Sequence, residues 1–195
     1  MVPRALLVMF TAGLLAGCGG TDDEAPVSSG TTQAPVSSTT TPVAALEGTS
    51  TDPVSWKGAS TEVELLTDVR AARHPGYDRL VFEFRMGLPG YDVRYVEPPV
   101  RADGSGDVVV VAGGAVLRVR MEPALDADLT QESAPRTYTG PTRFSPDTAA
   151  VVELVRGGGF EAVLTWAIGV EREQPFRVTR LQNPPRLVID VSTSA

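Results

Sequence analysis

The chain has 195 residues, with 24 acidic against 17 basic side chains, a net charge of −7, and a single cysteine and a single histidine. So acidic a balance makes a poor nucleic-acid binder, because that affinity comes mainly from basic side chains releasing counterions at phosphates. One cysteine cannot form an internal disulfide, and one histidine with one cysteine cannot supply the usual zinc ligand set. No cofactor is implied.

In chain order, Met1 to Arg4 is a short basic start and Ala5 to Ala16 an uncharged apolar run. A run this short falls below the roughly 20 residues of a membrane-spanning helix but fits the core of an export signal. Leu15-Ala16-Gly17-Cys18 resembles a bacterial lipobox. That resemblance implies removal of residues 1–17, a lipid on Cys18 as the first residue of the mature chain, and anchoring to the outer face of the cell membrane. Burial of acyl chains contributes about 0.8 kcal/mol per CH2, so two chains hold stably.

Residues 18–60 follow as a linker in which more than half the positions are Ser, Thr, Pro or Gly. Such a composition buries too little apolar surface to offset chain entropy, so a disordered tether is expected, spanning roughly 35 Å.

Residues 61–195 carry a period of two. Leu80, Phe82 and Phe84 alternate with Val81, Glu83 and Arg85. Leu117, Val119 and Met121 alternate with Arg118, Arg120 and Glu122. Phe160, Ala162, Leu164, Trp166 and Ile168 fall on one side of a third strand, and Leu187, Ile189 and Val191 on one side of a fourth. Weaker strands are predicted at Glu62–Arg70, Tyr91–Glu97, Val108–Ala112, Ala150–Arg156 and Pro175–Leu181. Turn signals lie between them, including Asp103-Gly104-Ser105-Gly106 and Gly157-Gly158-Gly159, the latter expected to close a hairpin. Short alternating strands without a helical period predict an all-β antiparallel sandwich or barrel. Pro123 to Asp147 has no clean period and reads as a long crossing loop with one short strand near Tyr138.

The runs Gly76-Tyr77-Asp78-Arg79-Leu80-Val81-Phe82-Glu83-Phe84, Pro89-Gly90-Tyr91-Asp92-Val93-Arg94-Tyr95-Val96, Phe160 to Gly169, and Asn183-Pro184-Pro185-Arg186-Leu187-Val188-Ile189-Asp190-Val191 resemble, in order and spacing, the AMIN-like domain of actinobacterial lipoproteins. The closing strand also resembles the broader AMIN domain of envelope proteins. The resemblance implies a β-sandwich and a targeting role at the cell envelope, with peptidoglycan or an envelope protein as partner.

The residues offer little catalytic chemistry, and no catalytic residue is assigned. His74 precedes Pro75 in a turn, with no nucleophile elbow or cysteine nucleophile to serve. Asp103 to Asp107 lacks the acidic spacing of a calcium loop and reads as a hairpin turn. Asp126 and Asp128 stand two apart in the long loop without further ligands, and no metal site is assigned. Paired carboxylates leave a glycan hydrolase open as an alternative, beside a protein–protein scaffold. For binding, Trp166 falls in phase with the core. Tyr91 and Tyr95 on one strand face, Tyr77 and Tyr138 beside turns or loops, and Arg94 on an outward face are the candidate contacts, since aromatics with a polar tip suit half-wet surfaces. Arg85, Arg118 and Arg120 are likewise expected outward, to pair with carboxylates or phosphates.

Overall fold

A computed structural model describes residues 46–193. The export signal, the lipobox with Cys18, and the linker as far as residue 45 lie outside the described residues. Within them the chain forms β1 (Val54–Trp56), β2 (Glu64–His74), β3 (Tyr77–Phe84), β4 (Gly90–Val96), β5 (Val100–Arg101), β6 (Val108–Val109), β7 (Ala115–Glu122), β8 (Ala124–Leu125), β9 (Arg143–Phe144), β10 (Val151–Phe160), β11 (Val163–Val170), β12 (Phe176–Leu181) and β13 (Arg186–Ser192).

Two sheets stack face to face. One has the order β1-β4-β7-β11-β10-β9 and the other β12-β13-β3-β2-β8, with β5 and β6 forming a separate two-stranded ribbon. All pairings are antiparallel except β2 with β8. The alternation read from the sequence fixes which side faces inward. Leu80, Phe82 and Phe84 of β3 and Leu187, Ile189 and Val191 of β13 meet Leu117, Val119 and Met121 of β7 and Leu164, Trp166 and Ile168 of β11 in one continuous core. Trp166 is fully buried at its centre, edge-on to Phe82 and Tyr138. Burying a large apolar side chain of this kind contributes about 1.5–3 kcal/mol.

Several expectations are corrected. Val54–Trp56, assigned to the linker by composition, is an edge strand paired with β4, because Val54 and Trp56 alternate and pack onto the core. Ahead of it, Ser50 exchanges two backbone hydrogen bonds with Phe176 of β12, so this segment touches the edges of both sheets. The glycine triplet does not close a hairpin but lies inside β10; the turn to β11 is Glu161-Ala162, both residues with positive φ. Phe160 therefore ends β10 and is 52% exposed, opposite Val163, and does not share the inner face of Leu164 and Trp166. Of Val108–Ala112, only Val108 and Val109 pair as a strand.

The crossing segment between β7 and β10 is ordered by buried charges. Asp126 receives hydrogen bonds from Arg156 Nε at 2.7 Å and Nη2 at 3.1 Å, and from Arg136 Nη2 at 2.7 Å, while its backbone carbonyl accepts from Thr137. The segment has short strands at β8 and β9 rather than at Tyr138, whose ring is instead sunk in the core with its hydroxyl donating to the Pro141 carbonyl. Where the segment ends, the Asp78 carboxylate, fully buried at the start of β3, accepts the backbone N–H groups of Ala149, Ala150 and Val151. This clamp joins β3 of one sheet to β10 of the other.

Candidate functional site

The register of the six-stranded sheet sets Asp92 beside Arg120 and Arg94 beside Arg118, and Arg120 in turn beside Thr165, all on the outer face. Between β4 and β7 the chain leaves the sheet at Pro98 and returns at Gly114, and this excursion folds back over part of that face as a flap. Val100 of the flap packs on Val116 and Ala167, with Val96, Val109 and Val111 around them, in a second small core outside the sandwich.

The flap is fastened at both ends. Its tip is the hairpin turn read from the sequence: Ala102 donates its N–H to the Asp107 carbonyl and Gly106 to that of Ala102. Asp103 donates to the Gly157 carbonyl at 3.3 Å and bridges Gly158, where φ is 142° and an added Cβ would lie 2.8 Å from the Asp103 nitrogen. That close approach is the reason for a glycine at position 158. At the other end Ala112 donates to Glu153 Oε2 at 2.9 Å, Arg143 bridges Glu153 and the Val110 carbonyl, and a Cβ on Gly169 would sit 1.8 Å from the Ala112 oxygen.

Between the flap edge and the uncovered half of the sheet lies an open cleft of about 410 Å³, within the size range of small-ligand sites. Arg118, Arg120 and Thr165 form its floor, and Glu97, Arg101 and Asp103 its walls. Arg118 reaches Asp92 at 3.4 Å, Arg120 reaches Glu122 at 2.6 Å, and Arg101 donates to the Gly106 carbonyl at 2.9 Å. Arg94 holds Asp92 in a two-pronged pair, and this pair, more than Arg118, keeps the Asp92 carboxyl below its ordinary range. Asp92 thus stays ionised and fixes the direction of both guanidiniums.

The residues expected as contacts do not converge. Arg94 is on the outer face near the cleft. Tyr91 and Tyr95 turn inward against the sandwich, Tyr91 beside Trp56 and Tyr95 edge-on to Phe176. The Tyr95 hydroxyl donates to the Gln174 carbonyl and accepts the Gln174 N–H, and burial raises the phenol of each tyrosine above its ordinary range. Tyr77 stacks on His74 across the β2–β3 turn under Arg79, at the other sheet. Tyr138 is only 1% exposed, so a surface contact through it is corrected: its ring fills the core beside Trp166.

Arg85, Arg118 and Arg120 do face outward, each in an ion pair. Asp126 and Asp128 do not share a site. Asp126 is taken by two arginines, while the Thr130 hydroxyl, the Gln131 amide and Arg85 push the Asp128 carboxyl down to about 2. Among the described residues no group of three or more His, Cys, Asp or Glu is placed to hold a metal. Thr165, Arg101 and Asp103 were missed by sequence reasoning. Thr165 alternates as a solvent-facing residue, and only the flap makes its position special.

The described residues thus form a two-sheet sandwich with a polar cleft between a fastened flap and a sheet face. The AMIN-like domain family model matches residues 64–193, and the chain belongs to the AMIN-like domain family, a binding and targeting type of domain associated with the cell envelope outside the cytoplasm. No curated protein and no solved structure matches it.

Proposed function

We propose that this protein is a lipid-anchored, non-enzymatic surface protein whose AMIN-like domain binds a cell-envelope component such as peptidoglycan. Membership of the family supports a binding role at the envelope. The observation that carries the reading within this chain is the cleft under the flap, where Arg118, Arg120 and Thr165 of the sheet face meet Arg101 of the flap. Cationic donors placed there suit the carboxylates of a wall polymer.

Sedimentation of the purified protein with isolated wall sacculi tests the reading. Co-sedimentation that falls as salt rises is expected, and no co-sedimentation at low salt would overturn it. The anchor is tested separately by Cys18→Ala, which should move the protein from the membrane fraction to the soluble one; retention in the membrane pellet would place the anchor elsewhere. A second reading, a scaffold working through protein contacts, is favoured by Val108 and Val110, 53% and 72% exposed on the outside of the flap.

A further inference from the structure

Five side-chain nitrogen or oxygen atoms among the described residues are out of reach of solvent and without a hydrogen-bond partner, and three of them belong to residues that line the cleft under the flap: Arg118 Nε, Thr165 Oγ1 and Asp103 Oδ2. Buried polar atoms are as a rule bonded, so three gathered in one cleft call for an explanation. They differ in kind. One is a cationic donor, one a hydroxyl that donates or accepts, and one a carboxylate oxygen that only accepts. A molecule that satisfies all three carries a negative acceptor and a hydrogen-bond donor.

We propose that the cleft takes the free carboxylate end of a peptide, with the carboxylate on Arg118, Arg120 and Thr165 and the adjoining N–H on Asp103. This rests on the envelope-binding reading and names the group recognised. Charge separates this ligand from the alternatives. Arg101, Arg118 and Arg120 are opposed in the lining by Glu97 and Asp103, and Asp92 and Glu122 already hold part of the floor. A phosphate dianion meets the two acidic walls with twice the like charge of a carboxylate. A neutral sugar can donate hydroxyls to Asp103 but brings no negative charge to the three arginines of the lining. A singly charged carboxylate beside an N–H answers both ends, and the cleft volume admits one or two terminal residues. Thr165 is 2% exposed, whereas the Arg118 and Arg120 side chains above the sheet are 35% and 38% exposed.

The probes are N-acetyl-alanyl-alanine in its D,D and L,L forms, the corresponding C-terminal amides, and inorganic phosphate, titrated by calorimetry into the purified full-length protein in detergent. The acid should bind at least tenfold more tightly than its amide and than phosphate. Preference for the D,D form assigns the source to wall peptides, and preference for the L,L form to an ordinary protein terminus. Thr165→Val and Arg118→Gln should each weaken the acid five- to thirtyfold. Thr165→Val should melt no lower than the parent, since the hydroxyl it removes has no partner to lose. Equal binding of acid and amide, binding of phosphate as tight as the acid, no binding of the acid, or variants that bind it as the parent does would each overturn the proposal. The same samples are sedimented with wall sacculi. A parent that sediments but ignores the acid removes the cleft assignment and leaves the envelope reading standing. A parent that binds the acid but does not sediment does the reverse.

Discussion

Replacing Asp78 by alanine should produce the largest loss of stability among single polar substitutions in this domain. The carboxylate sits at the start of β3, fully buried, and accepts from the N–H of Ala149 at 2.9 Å and 3.1 Å, of Ala150 at 2.5 Å and of Val151 at 3.0 Å. Alanine removes every acceptor and leaves three donors facing a gap. A buried unsatisfied donor costs about 1–3 kcal/mol, and neighbouring losses do not add fully, so the substitution should cost about 3–5 kcal/mol. That is a third or more of the stability of many domains of this size, about 5–15 kcal/mol. Asp78→Asn keeps one acceptor oxygen and should lose about half as much. Urea unfolding followed by tryptophan fluorescence is the assay, because Trp166 is fully buried in the core both sheets share. With a slope of about 2 kcal/mol per molar, the midpoint of the alanine variant should fall by roughly 1.5–2.5 M while the slope stays constant. An Asp78→Ala midpoint within 0.3 M of the parent, on the order of 0.5 kcal/mol, would refute the clamp as a tie between the sheets.

Asp126→Ala frees Arg136 and Arg156 and should destabilise the domain by about 2–4 kcal/mol, with new proteolytic cleavage between β8 and β9 before global unfolding; cleavage no faster than in the parent counts against the charge cluster as the organiser of that segment. Gly169→Ala drives a methyl into the Ala112 carbonyl and should raise amide hydrogen exchange at residues 111–114 at least tenfold, while the sandwich strands stay protected. Acid should weaken the fold from about pH 4 downward. The arginines beside them hold Asp92 and Asp190 below the usual carboxylate range; for Asp190, burial pushes upward, but Arg79 and Arg177 together outweigh it. Because these folded-state values lie below the unfolded one, near 3.9, their contribution is complete above that pH and is lost as pH falls through the folded values, with Asp128 the last at about 2. A urea midpoint flat from pH 5 to pH 2.5 would contradict this.

The strands that read best from the sequence are those whose alternation has one physical cause. In β7 one face is core and the other carries Arg and Glu, and in β3 and β13 the alternation still picks the inner side, although Val81, Val188 and Asp190 on the other face are buried as well. Val54–Trp56 escaped because three residues hold no period, and the Ser, Pro and Gly around them carry the composition of a linker. The glycine triplet misled for a related reason. Glycine marks either a turn or a place where another backbone comes close, and only the fold shows that Asp103 docks there. The outward arginines were legible from strand phase. Their gathering with Thr165 and Asp103 was not, since it depends on where the 98–114 excursion lands, and nothing local records that. Tyr138 looked like a loop residue and is one by position, but the loop is drawn inward by Asp126 until its ring meets Trp166.

The outermost strands of the two sheets are short: β1 has three residues, β8 and β9 two each, and only β12 reaches six. Next to β12 the Ser50 bridge and the Arg177 contact with the Glu47 carbonyl occupy part of the rim. Beyond Leu65, however, the outer edge of β2 as far as His74 has no strand beside it among the described residues, and this is a ladder on which a neighbouring copy could pair its own backbone. Copies meeting along that edge would join through the sheet opposite the one that carries the cleft, and each would keep its cleft open.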